Sequence, residues 1–225
     1  MPDATASIRT AKREDADFLA WAILVATRSH LAKGYFDIVL NRPENEVLDF
    51  IRCLTLTHER SFWHYSYFLV AQAKGKSVAA LSVFRAGQAF PLYWDAIKEA
   101  AHMLDWNDPE RDPMWNRGGY IQTCILPLDK DPDVWAIENV ATLAEYRRRG
   151  IAPQLVERGV AEAKSSGARR VQVTFMIGND AAERAYAKAG FRFKDEKRSR
   201  DFEAASGSPG LRRYTRDLGE TLTIR

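Results

Sequence analysis

Residues 144–155 read AEYRRRGIAPQL: three consecutive arginines, then Gly150, a small-residue step and a proline that opens an apolar repeat. Taken alone, the run suits a basic patch for nucleic acid as well as it suits a loop that holds phosphate. The flanks separate the two. Upstream, VWAIENVAT (134–142) alternates like a strand, with Val134, Ala136, Glu138, Val140 and Thr142 expected on one face and Trp135, Ile137, Asn139 and Ala141 on the other. Downstream, Ile151, Ala152, Leu155, Val156, Val160 and Ala163 recur at helical spacing as far as Gly167. A turn between such a strand and helix leaves backbone N–H groups pointing out of the helix start, and the helix dipole makes that end attractive to anions. Gly150 and Ala152 let a phosphate approach the main chain, and Pro153 sits where a missing N–H is tolerated. The arginines can offset a diphosphate. Neither GxxxxGK[ST] nor an N-terminal GxGxxG occurs, so the turn suits a diphosphate cofactor outside the usual ATP and NAD arrangements.

Working outward, ARRVQVTFMIG is a strong strand, and NDAAERAYAKAGF is a short helix with Asn179 or Asp180 as N-cap, Glu183 completing a capping box and Gly190 as the stop. The stretch RFKDEKRSRDFEAASGSPGLRRYTRDL reads as two strands around a flexible loop containing SGSPG. Toward the N-terminus, a short strand precedes a helix carrying Phe18, Trp21, Ala22, Leu24 and Val25, and residues 44–57 form a second helix. YFLVAQAKGKSVAALSVFRAG is a hairpin turning at Lys74–Lys76. Residues 87–133 break the pattern and read as an insertion with a helix near 92–104. Its Trp94, Trp106 and Trp115 are core or lid packing in the first instance and substrate-region candidates in the second. Nine acidic residues against four basic ones give it a local charge of −5, either a solvated loop surface or a rim that attracts a cationic amine.

Composition narrows the classes. The chain has 225 residues, 33 basic and 30 acidic, for a net charge of +3. That is too small for bulk attraction to nucleic acid, so any basic surface is local. A single domain over 1–225 is expected, with 87–133 inserted in the substrate region. No apolar stretch approaches the roughly 20 residues needed to span a bilayer, which makes a cytoplasmic protein without membrane contact the expectation. Two cysteines, Cys53 and Cys124, and four scattered histidines support neither a disulfide framework nor a metal site.

Arg147-Arg148-Arg149-Gly150-Ile151-Ala152 resembles the [QR]-x-x-G-x-[GA] signature of the GNAT superfamily of acyl-CoA-dependent N-acetyltransferases, entered through Glu145-Tyr146 with Ala144 where proline is common. Asn179, Ala182, Tyr186 and Gly190-Phe191 are similar to that family's N-x-x-A-x-x-x-Y-x-x-x-G-F segment. Two motifs in the right order make the resemblance close over 134–198; the N-terminal elements fit only by pattern, and 87–133 matches nothing in the family. The resemblance implies an α/β fold, a central twisted, splayed mixed sheet flanked by helices, with the insertion between the third and fourth strands. It implies acetyl-CoA as cosubstrate and no metal. The backbone of Val140, Ala141 and Thr142 would pair with the pantetheine amides, Arg147 to Ala152 would grip the pyrophosphate, Asn179 would face the pantetheine arm, and Tyr186 would be the general acid for the leaving thiolate.

The residues themselves add a base. An amine acceptor is mostly protonated at pH 7 and must lose a proton before it attacks a thioester. Glu138, a carboxylate on an otherwise apolar strand face, is the candidate to take it, unless it pairs with an arginine. Cys124 has no histidine in a defined relation, so direct attack in a ternary complex is expected over a covalent intermediate. The leading reading is therefore an N-acetyltransferase acting on a small-molecule or protein amine. The alternatives are a non-catalytic acyl-CoA-binding regulatory module and, last, a nucleic-acid surface through Arg147–Arg149 and RFKDEKRSR, which lacks an evident stacking platform. A homodimer through a sheet edge or the C-terminal hairpin is compatible with the pattern.

Overall fold

The computed structural model describes residues 6–127, 129 and 131–219; Lys130, one of the basic residues counted in the insertion, lies outside the described residues. The chain runs β1 (Ser7–Thr10), α1 (Ala16–Arg28), α2 (Tyr35–Leu40), α3 (Glu44–Thr55), β2 (Phe68–Ala73), β3 (Lys76–Arg85), α4 (Ala86–Ala89), α5 (Tyr93–Met103), α6 (Gly119–Gln122), β4 (Val134–Thr142), α7 (Ile151–Ser165), β5 (Arg170–Met176), α8 (Asp180–Lys188), β6 (Arg192–Arg198), α9 (Arg200–Ser206) and β7 (Gly210–Asp217). The strands form one mixed sheet in the order β1-β2-β3-β4-β5-β7-β6. Every neighbouring pair is antiparallel except β4 and β5. The α/β class, the mixed sheet and the insertion between the third and fourth strands are as the sequence implied.

Each face of the sheet is covered by helices whose apolar stripes the sequence spells out. On one face Leu19 and Ile23 of α1 and Phe50 and Leu54 of α3 bury against Val70, Ala80 and Ala141. On the other, Leu155, Val156 and Val160 of α7 bury against Leu69, Leu81, Ile137, Val171 and Val173. The β2–β3 hairpin closes through Lys74 (φ 51°) and Gly75 (φ 76°), two successive left-handed residues that match the twist of the strands they join. Gly159 lets α7 lie close to the sheet, since a Cβ there would come within 3.2 Å of Ile137 Cδ1 and 3.4 Å of Leu81 Cδ1.

The insertion contributes one side to the core. Ala96, Ile97, Ala100 and Ala101 of α5 pack into the α1–α3 cluster. Trp106 stacks on Phe50 at 5.3 Å with the Arg42 guanidinium 4.4 Å above its ring, and Trp115 meets both Phe50 and Trp94. Trp115 is thus buried in the core, while Trp94 and Trp106 are half-buried and pack against it. Much of the acidic charge is answered locally: Asp129 by Lys194 (2.6 Å) and Arg170, Asp131 by Arg169, Glu110 by Lys98. An acidic rim of the size the raw count suggested is not what these carboxylates make.

Three local expectations are corrected. The connection of β6 to β7 is not a flexible loop, because Ser199 accepts the Phe202 N–H, Phe202 is fully buried and Gly207 (φ 85°) ends the helix, giving α9. Glu183 forms no capping box: the cap of α8 is Asn179, which accepts the Ala182 N–H at 3.1 Å, one position short of Glu183. The alternation of β4 breaks, since Ala80 pairs with Ala141 but Ser82 with Glu138, so β4 carries an extra residue. Asn139 at the break has φ 55°. Val140 consequently joins Ile137 on the α7 face, and Ala141 turns to the α1 face. Replacing Gly159 with Leu is expected to lower unfolding free energy by about 2 kcal/mol, read from denaturant titration, because the side chain has to push α7 off Ile137 and Leu81.

Candidate functional site

Pairing between β4 and β5 runs from Val134↔Arg170 to Ile137↔Val173 and stops. Beyond it β4 stays with β3, through Glu138, Ala141 and Thr142, while Thr174 to Met176 of β5 stay with β7. A notch opens between the two strands. From Glu138 to Thr142, the edge of β4 that faces it has no strand partner for its N–H and C=O groups. Because β4 and β5 are parallel, their carboxyl ends lie at the same side of the sheet, and α7 and α8 both begin there. A crevice outside the carboxyl ends of diverging parallel strands is where open α/β sheets bind ligands.

The arginine turn forms one lip of the notch. A short turn at Ala144–Tyr146 carries the chain from β4 to Arg147, whose Nε donates to Thr142 O at 3.1 Å. Arg148 (φ 62°) and Gly150 (φ 77°) are both left-handed, a backbone shape that turns successive amides toward one side. Arg149 lies over the Tyr146 ring at 5.3 Å, and all three arginines are exposed. Gln154 N–H reaches Gly150 O, so the Ile151 and Ala152 amides belong to the unpaired first turn of α7. A Cβ on Gly150 would meet only Gln154 Nε2, at 3.8 Å, so the cradle is open above its backbone. Such a donor set can hold an anion.

Glu138 and Tyr186 sit deeper. Among the described residues the Glu138 carboxyl has no hydrogen-bond or ion-pair partner, and burial alone pushes its pKa up to about 8. The arginine pairing that the sequence left open does not occur. Burial, followed by the charge of Glu138, holds the Tyr186 hydroxyl above its ordinary value, which places the two groups within electrostatic reach. The Tyr186 ring packs on Phe175 (5.6 Å) and Phe191 (5.9 Å). Its helix is tied to β7 by Glu183, which accepts from Arg212 at 2.8 Å and from the Tyr214 hydroxyl at 2.6 Å.

Asn179 is occupied at both ends of its amide: Oδ1 caps α8 and Nδ2 donates to Ser29 Oγ at 2.8 Å. That bond brings the end of α1 beside the start of α8, where a Cβ on Gly178 would lie 3.1 Å from His30 Nε2. Sequence reasoning missed Ser29, His30, the tie from Glu183 to β7, and the buried pair formed by Asn139 Nδ2 and Ser82 Oγ, 3.0 Å apart. None of them carries a local signal, since each contact joins distant segments. Cys124 is buried with its thiol pKa raised and donates to Lys197 O, which makes it a poor nucleophile. Among the described residues no group of three or more His, Cys, Asp or Glu is placed to hold a metal ion, and no helix is long and apolar enough to cross a membrane.

A splayed β4–β5 pair with an anion cradle at its mouth invites comparison with known proteins, and the model of the acetyltransferase (GNAT) family matches residues 30–191. The chain belongs to that family. Among solved structures it is similar to an acetyltransferase at 18% identity and TM-score 0.69, covering 95% of this chain and 100% of the other. It is also similar to an N-acetyltransferase from Staphylococcus aureus Mu50 (21%, TM-score 0.65, 93% and 100%) and to yncA from Salmonella typhimurium, solved with its cofactor acetyl-CoA (14%, TM-score 0.53, 98% and 98%). At these identities the likeness is one of fold. No curated protein matches the sequence. Membership of the family supports an acyltransferase, with acetyl transfer as the class of reaction.

The unpaired Glu138 has a measurable thermodynamic signature. Its folded pKa of about 8 lies above the ordinary 4.5, so below pH 4.5 both states are protonated and the site costs nothing. As pH rises from 4.5 to 8 the unfolded chain ionises first, and stability is lost until the folded carboxyl ionises as well. Glu138→Gln is therefore expected to melt close to wild type at pH 4 and clearly above it at pH 9; equal melting temperatures at pH 9 contradict the burial of an unpaired carboxyl.

Proposed function

We propose that this chain is an N-acetyltransferase that moves the acetyl group of acetyl-CoA directly onto an amine, carried by a small molecule or a protein, within a ternary complex. The observation that carries the reading is the parting of β4 from β5 beside Glu138, with the Arg147–Ala152 cradle at the mouth of the notch. The free edge of Val140, Ala141 and Thr142 suits the two amides of a pantetheine arm laid along it like an additional strand. Amides of the first turn of α7 and the three arginines would hold the pyrophosphate, and Asn179, at the start of α8, would face the arm. Bound there, acetyl-CoA supplies an acetyl group already activated as a thioester.

The remaining steps fall to this chain. Glu138 takes a proton from the acceptor ammonium, a task suited to a carboxylate whose pKa of about 8 lies close to working pH. The freed amine attacks the acetyl carbonyl, whose developing negative charge backbone N–H groups at the notch can stabilise. As the C–S bond breaks, Tyr186 donates its phenolic proton to the leaving sulfur and recovers one from the nitrogen of the new amide, which still carries an extra proton after attack; its raised pKa keeps the phenol protonated until then. The cationic turn would hold the cofactor, and Glu138 and Tyr186 in the notch would carry out the proton transfers.

An amine-panel acetylation assay tests the reading. Calorimetry should show CoA binding weakened at least about tenfold by Gly150→Glu, whose carboxylate repels the pyrophosphate; equal affinity removes the cradle from the site. Tyr186→Phe should lose turnover by about 10- to 100-fold with little change in acetyl-CoA affinity. The kcat/KM profile should rise to a limb near pH 8 that disappears in Glu138→Gln, since Tyr186 is the titratable group that faces Glu138 and it stays protonated there. Retained CoA binding with no transfer to any amine would instead mark an acyl-CoA-binding regulatory module.

A further inference from the structure

Asn139 combines three features that the reaction does not use. It occupies the extra position of β4, between the Glu138↔Ser82 and Ala141↔Ala80 pairs. Its φ of 55° is left-handed, a conformation that asparagine tolerates better than most residues but still adopts at a cost. Its side chain is turned inward, 9% exposed, and donates from Nδ2 to the hydroxyl of Ser82, which is completely buried. Losing the acceptor strands a buried amide donor, a penalty comparable with the cost of the kink itself. The hydrogen bond is therefore large enough to decide whether β4 keeps the kink or relaxes into regular alternation.

Relaxation has a defined consequence. A one-residue slip in a strand exchanges its faces. Without the bulge Val140 leaves the α7 face that it shares with Ile137, and the segment carrying Glu138 shifts against β3 just where β4 has lost the support of β5.

We propose that the Ser82–Asn139 hydrogen bond is the clamp that holds β4 in its left-handed kink and so fixes the position of the Glu138 carboxyl in the notch. Ser82 and Asn139 are then positioning residues, acting through Glu138 without touching substrate. The catalytic consequence rests on the acetyltransferase reading; the clamp itself does not. Glycine separates backbone from side chain here, because it adopts positive φ without needing the amide.

Four variants are compared with wild type: Ser82→Ala, Asn139→Ala, Asn139→Gly and the double variant Ser82→Ala with Asn139→Gly. Ser82→Ala and Asn139→Ala should lose about tenfold or more in kcat with KM for acetyl-CoA within about twofold, as misplacement of a catalytic group does. Asn139→Gly should lose less than about threefold, and adding it to Ser82→Ala should restore most of the lost turnover. Asn139→Gly as impaired as Asn139→Ala would mean that the amide itself is required, and would overturn the clamp.

The second readout is independent of activity: the Glu138 carboxyl is titrated by NMR in all five proteins. A midpoint near 8 is expected in wild type and Asn139→Gly, displaced by at least about half a unit in Ser82→Ala and Asn139→Ala. One common midpoint refutes the clamp even if every variant transfers acetyl groups normally. A wild type that acetylates nothing refutes the enzyme reading instead, and the clamp then stands or falls on this titration alone.

Discussion

Parallel pairing between β4 and β5 lasts only from Val134 and Arg170 to Ile137 and Val173, and each feature of the candidate site lies downstream of its end. The two strands part because they belong to differently anchored halves. β4 is held by β3 from Trp135 to Thr142 apart from the bulge at Asn139 and Val140, and covered by α7, which Gly159 brings to within van der Waals reach of Ile137. β5 is held by β7 from Arg170 to Met176, and α8 beyond it is fastened to β7 by Glu183, Arg212 and Tyr214. Each strand keeps its other neighbour where the two part, and α7 packs on both Ile137 and Val173, so the strands can diverge without dividing the core. The unpaired ladder groups are left on one edge of β4, the edge that a ligand can reach.

Electrostatics divides the notch along its depth. At the mouth, Arg147, Arg148 and Arg149 stand in water, where screening over about 8–10 Å limits each to a local attraction for phosphate. Deeper down, the Glu138 carboxyl has no partner to offset its charge, and loss of solvent alone pushes its pKa up to about 8. The ion pairs of the insertion fall on neither side of that division. Asp129, held at about 2 by Lys194, and Asp131 beside Arg169 pin the segment that leads into β4 to the strands beside it. Near the surface such pairs guide the chain more than they stabilise it.

The sequence made the repeating parts of this arrangement legible. Periodicity located α7 from Ile151, Leu155 and Val160, the hairpin from Gly75, and the helix bearing Tyr186 from Asn179 and Gly190. It overlooked α2 and α9, six- and seven-residue helices too short to show a period, whose caps were their only signal. It misjudged β4 for a different reason. Alternation assumes a constant step of two, and one extra residue at Asn139 reverses every assignment after it without changing the composition. The residues that hold the site in place, Ser82 on β3, Ser29 at the end of α1 and Glu183 reaching β7, make their bonds across the fold, where local spacing carries no information.

Local preference is broken at adjacent positions of β4: Glu138 puts a half-buried carboxyl without a partner on a core strand, and Asn139 holds a side-chain residue at positive φ. Each departure costs stability by itself, through desolvation in one case and backbone strain in the other. A sheet selected for stability alone would place an apolar residue at 138 and keep regular alternation through 139. Their adjacency at the point where β4 leaves β5 argues for a single origin, because desolvation raises the basicity of the carboxyl and the kink sets where it stands. The site has needed both at once, and the surrounding α1 and α7 cores are what make the combined cost sustainable.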